Sequence, residues 1–176
     1  VAIELALYKT NNAASLTLTV GSVQVVNRTI IEFALSSYNT LSATAKSLLT
    51  TEKALLDSLL VEIVRQEAIA SEVSSFKTVN ASALALTVGT VQITNKTIVV
   101  NAITAFGNLS VDAKAKLSVE KSLLDSLLVE IVRQEAVATE VSSFKTVNAS
   151  ALALTVGTVQ ITNKLIVTNA LTSLET

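Results

Sequence analysis

A stretch of 42 residues, LLDSLLVEIVRQEAIASEVSSFKTVNASALALTVGTVQITNK (Leu55–Lys96), returns 68 residues later at Leu123–Lys164. Only Ile69/Val137 and Ser71/Thr139 differ. Near-identity at a fixed offset is the mark of tandem duplication, and a repeat outranks local signals in constraining a fold. The same offset, without a gap, finds a diverged first copy. Tyr8-Lys9-Thr10 aligns with Phe76-Lys77-Thr78, and Thr19-Val20-Gly21 with Thr87-Val88-Gly89. The repeat units are therefore 1–68, 69–136 and a truncated 137–176. Starting at Val1 inside this register and stopping at Thr176 within a unit, the chain reads as a cut through a longer array.

Repeat periodicity predicts an all-α array. Leu55, Leu56, Leu59, Leu60, Ile63 and Val64 recur at steps of three and four, as do Val73, Phe76, Asn80 and Leu84. With no Pro or Gly between Thr50 and Leu86, single long helices are expected over 52–84 and 120–152. At 1.5 Å per residue each would run about 50 Å, with the unit junctions inside them near Gln66-Glu67 and Gln134-Glu135. Leu84–Asn95 breaks the pattern: Leu84, Leu86, Val88, Val91 and Ile93 approach strand alternation. Two readings stand for it: an extended connector plugging its apolar residues into a helical bundle, or a single strand pairing with another copy. Gly21, Gly89 and Gly157 share one place there, suggesting a turn that a side chain would obstruct. Asn95 is expected to cap a helix through Ile98, Val99, Ala102, Ile103 and Phe106, ended by Gly107-Asn108. Ser110 starts a short helix with Asp112 in its first turn, and Ser118 caps the next long one.

Composition narrows the function classes. Half the residues are hydrophobic, 15% are charged and mean hydropathy is +0.58. Yet the uncharged window Thr78–Asn95 is interrupted by eight polar side chains, so no membrane insertion is expected. Burial against other copies of the chain explains the balance better. A net charge of −1 gives no footprint for nucleic acid. Without Cys or His there is neither a disulfide framework nor an imidazole or thiolate metal site, and a Cys-free chain suits an exported protein.

The stretch LTVGTVQITNKTIVVNAITAFGNLSVDAKAKLSVEKSLLDSLL resembles helical tandem repeats on cell-surface proteins of Gram-positive bacteria. They share a TV-x-I segment, an Ala-rich helix ending in F/Y-x-x-L, then LS-x-x-AK-x-x-L and an EK-x-LL-x-x-L helix. The first unit carries the signature as Tyr38-Asn39-Thr40-Leu41-Ser42, Ala45-Lys46 and Glu52-Lys53. The resemblance implies three-helix modules akin to FIVAR or GA modules, serving as extracellular stalks or adhesive segments. It carries over no catalytic residue, and the chain departs from that pattern in its low charge.

Candidate constellations are few. Asp57, Glu62, Glu67 and Glu72 recur as Asp125, Glu130, Glu135 and Glu140. Paired carboxylates can do acid–base work, but Glu62 and Arg65 at helical spacing read as a solvent-face pair. There is no Asp-rich loop for a cation and no glycine-rich phosphate loop, so neither an enzyme nor a cofactor is expected. Five Asn-x-Ser/Thr triplets read mainly as caps and turns. Tyr8, Phe76 and Phe144 are candidate binding aromatics, against the simpler reading of each as its own core plug. Past Asn163 the third unit lacks the helix that Ser110–Leu128 supplies in the second. Ile161, Ile166, Val167, Leu171 and Leu174 are the candidate assembly interface, covered head to tail by another copy.

The leading expectation is a structural segment of an extracellular, cell-surface protein, used as a rigid stalk or self-assembling into a fibre. The alternative is an adhesive module binding a host surface protein or glycan by avidity. A third is an accessory segment of an enzyme whose catalytic domain lies outside these residues.

Overall fold

The computed structural model describes residues 1–175. They are all-helical: eleven α-helices and three 3-10 turns, with no strand among the described residues. The chain forms two compact units. The first takes residues 1–79 and 109–117; the second takes 80–108 and the described residues from Ser118 onward.

Unit one contains α1 (Ala2–Asn11), α2 (Ala13–Leu16), a 3-10 turn (Val25–Asn27), α3 (Arg28–Asn39), α4 (Ala43–Leu48) and α5 (Thr50–Val79). Later in the chain it also takes α8 (Val111–Lys116). Leu56, Leu59 and Ile63 fall on one face of α5 and are fully buried. They meet Ile31 and Ala34 of α3, and Val23 from the connector plugs the same core. Ala34 has no side chain beyond Cβ, which lets the two helices approach. Tyr8 is buried; its hydroxyl donates to the Ala34 carbonyl at 3.3 Å, and its ring meets Tyr38 edge-on at 6.3 Å. That geometry suits the ring quadrupoles.

Unit two contains α6 (Ala81–Leu84), a 3-10 turn (Ile93–Asn95), α7 (Lys96–Gly107), α9 (Ser118–Val147), α10 (Ala149–Leu152), a 3-10 turn (Ile161–Asn163) and α11 (Lys164–Glu175). Each begins 68 residues after its counterpart. Leu124, Leu127 and Ile131 of α9 are buried as Leu56, Leu59 and Ile63 are, and α7 packs on α9 with Val99 and Ala102 fully covered.

Several local expectations need correction. The long helices stop at Val79 and Val147, short of Leu84 and Leu152. Asn80 and Asn148 leave helical geometry there, with φ −103 and ψ near 17. The Asn148 amide donates to the Phe144 carbonyl at 3.0 Å, and Asn12 does the same to Tyr8 at 2.8 Å. A short polar side chain competing for its own helix's carbonyls ends the helix, although the apolar spacing continues.

The connector is not a strand. The Thr87 carbonyl accepts from the amides of Thr90 and Val91, and Thr90 Oγ1 accepts from the Thr87 amide at 3.0 Å. These bonds fold residues 87–91 onto themselves. Asn95 precedes α7, but its side chain accepts from the Gln92 amide at 2.9 Å in a capping box, not from its own helix. Ser110 does cap α8, accepting from the Ala113 amide at 3.2 Å; Ser118 is the first residue inside α9, not ahead of it.

Gly89 does not have a positive φ, and a Cβ there would meet only Thr87 Oγ1 at 3.9 Å. The turn therefore does not require glycine. Gly89→Ala is expected to raise stability by about 0.4–1 kcal/mol by restricting the unfolded chain, measured by urea denaturation. A loss of stability would contradict this geometry.

Candidate functional site

Of the candidate carboxylates, Asp57, Glu62, Glu67, Glu72, Asp125, Glu130 and Glu135 sit in structural pairs, and Glu140 lies exposed on α9. Glu62 accepts from Arg65 at 2.8 and 2.7 Å and from Gln66 at 3.0 Å, and Glu130 meets Arg133 and Gln134 in the same way. Arg28 holds Glu67 and Glu32, while Lys96 holds Glu135 at 2.9 and 2.7 Å. Asp57 and Asp125 pair with the lysines four residues before them. Glu4 and Glu72 each accept from the backbone amide 38 residues on, at Ser42 and Ser110, crowning α4 and α8. No group of three or more acidic residues that could hold a metal ion occurs among the described residues. An open groove of about 700 Å³ in unit one runs beside Ile69, Val73 and Lys116. Arg65 at its edge is engaged by Glu62 and Asp112.

Hydrogen bonds from Arg65 and then Gln66 hold Glu62 down to about 2, and Arg133 and Gln134 do the same to Glu130. The usual glutamate value is about 4.3. A pKa depressed in the folded state adds stability that is complete above the unfolded value and fades as pH falls towards the folded one. The thermal midpoint should therefore fall between about pH 4.3 and 2. The double variant Glu62→Gln, Glu130→Gln should show a shallower fall, and an unchanged slope would contradict the assignment.

Sequence reasoning missed Gln66 and Gln134. Gln66 Nε2 donates to the Val23 carbonyl and Gln134 Nε2 to the Val91 carbonyl, both at 2.9 Å. Each glutamine ties the long helix to a connector 43 residues earlier. Their return at the repeat period is the one signal that marked them.

The aromatic candidates divide. Tyr8 and Phe76 are buried, and Phe144 is half-buried. The candidate assembly residues lie on or beside α11. Residues 146–164 repeat residues 78–96 without a change, so each position has an internal control. Val91 is 3% exposed but Val159 is 50%; Ile93 is 38% exposed but Ile161 is 86%. Val99 is fully buried, whereas its counterpart Val167 is half-exposed. Leu171 and Leu174 are exposed. Ile166, at 36%, matches Ile98 at 38%, so its exposure has another origin than a missing cover. What α9 covers in the second copy lies open in the third.

No family model, curated protein or solved structure matches this chain. No helix among the described residues is long and apolar enough to cross a membrane.

Proposed function

We propose that the chain is a structural segment of an extracellular surface protein, built from tandem three-helix repeats and used as a stiff stalk or joined end to end into a fibre. The observation that carries this reading is the return of the same interlocking bonds at the repeat period. Gln66 to Val23 and Arg28 to Glu67 in the first copy become Gln134 to Val91 and Lys96 to Glu135 in the second. Repeats that bury each other's apolar faces act as quasi-one-dimensional arrays, whose function is extension and presentation. Charged side chains committed to such pairs suit load-bearing better than chemistry.

Exposed valines favour a second reading, adhesion by avidity. Val61 and Val129 are 70% and 69% exposed at equivalent places on α5 and α9, a repeated apolar contact that a partner would meet more than once.

Small-angle X-ray scattering over a concentration series separates these possibilities. A constant mass of 18.4 kDa with elongated scattering supports the stalk, and a mass that climbs supports the fibre. A constant mass with a radius of gyration of about 16 Å, the size of a compact domain of this length, would overturn both.

A further inference from the structure

We propose that the first repeat carries a self-docking patch, Val26, Ile30 and Phe33, through which two copies of the chain pair about a two-fold axis. The patch lies on α3 and the 3-10 turn that leads into it, at steps of four and three that gather on one side of a helix. Phe33 is 61% exposed and Val26 80%, and Ile30 joins them at 38%.

The other copies show that the fold does not require these side chains. The counterparts of Val26 are Thr94 and Thr162, and those of Phe33 are Asn101 and Asn169. All four are exposed. Ile98 is 38% exposed, the same as Ile30, so the surroundings match. Nor does the exposure depend on a neighbouring repeat. Asn101 is open with a repeat before its own, and Phe33 is open with a repeat after its own. An adjoining ring and valine at places where the scaffold accepts asparagine and threonine gain nothing in the fold, and clustered in water they mark a contact.

The chemistry around the patch selects a second copy. Thr29 and Ser36 border it on the solvent side. The two charges of α3, Arg28 and Glu32, turn towards α5, bonding each other at 2.8 Å while Arg28 also holds Glu67. An uncharged rim offers a charged partner nothing and lets two like patches meet without repulsion. The stripe is also self-complementary. With two α3 helices antiparallel, Ile30 of each copy falls opposite Phe33 of the other, and bulky Val26 falls opposite small Ser37. The three side chains expose roughly 300 Å², well under the ~800 Å² a side of a stable interface, so the pairing is weak and reversible. An isologous contact closes at two copies, unlike end-to-end joining, and stands independently of it.

Sedimentation equilibrium and amide NMR of the full chain over a concentration series test the pairing. The mass should rise from 18.4 kDa and level off at twice that value, half-way at about 0.1–1 mM, with concentration-dependent shifts on α3. Phe33→Asn installs the residue that both other copies carry. It should leave the circular dichroism spectrum unchanged and weaken pairing about tenfold or more. Adding Thr94→Val and Asn101→Phe to that variant moves the patch to the second copy. Pairing should then return, with the shifts now on α7. A mass fixed at 18.4 kDa up to about 2 mM, or pairing that Phe33→Asn leaves intact, would overturn the proposal. So would failure of the moved patch to restore pairing. A mass that climbs past two copies in the natural chain and in Phe33→Asn alike removes this patch and leaves the end-to-end reading standing.

Discussion

Replacing Ile63 with alanine should lower the unfolding free energy of unit one by about 3 kcal/mol. Ile63 is fully buried among Val23, Ile31, Leu56 and Leu59, where the α5 face meets α3 and the connector together. The truncation removes methyl and methylene groups from a cluster shared by α5, α3 and the connector. A helix face backed on both sides cannot close the cavity without shifting the others, so the cost should lie well inside the range of about 2–5 kcal/mol for such truncations. Both tyrosines, Tyr8 and Tyr38, belong to this unit and no tryptophan obscures them, so urea denaturation followed by tyrosine fluorescence reads the unit directly. A loss below about 1 kcal/mol would mean the core is not organised on that face.

The second large effect is a matched pair. Val99→Asp should cost about 4 kcal/mol or more, whereas Val167→Asp, the same change one repeat later, should cost about 1 kcal/mol or less. Val99 lies fully buried on α7 where α7 packs against α9, so an aspartate there would be stripped of water with nothing to pair with it. Val167 is half-exposed, and its carboxylate could stay hydrated. Thermal melts by circular dichroism of the two variants make the comparison. Equal costs would show that the third copy is covered after all.

Some of this was readable in the chain. The repeat period set the order of elements, and the spacing of Leu56, Leu59 and Ile63 identified the buried face of α5 because helical geometry turns that spacing into one stripe. The open face on α11 followed from counting copies, since Val159 and Val91 have the same neighbours in sequence and differ only in what packs on them. Three features were hidden for physical reasons. The helix breaks at Asn80 and Asn148 lie inside a run whose apolar period continues to Leu84 and Leu152, and at Asn148 a side-chain bond to the Phe144 carbonyl marks the end. The connector alternates like a strand, yet Thr87 and Thr90 bond locally and fold it back. Gln66 and Gln134 bond to backbone carbonyls, whose directions no side-chain pattern encodes. Nothing in the residue types separates such a glutamine from a solvent-facing one.

Native-state hydrogen exchange tests most directly whether each connector is held by the long helix that follows it. The amides of Val91 and Val159 make the same 2.9 Å bond in the same local sequence, so any difference in their exchange reports the cover and not the turn. Val159 should exchange about a hundredfold faster than Val91, because opening at Val91 requires parting the connector from Gln134 and α9. Equal protection at the two sites would contradict the interlocking of helix and connector on which the repeat architecture depends.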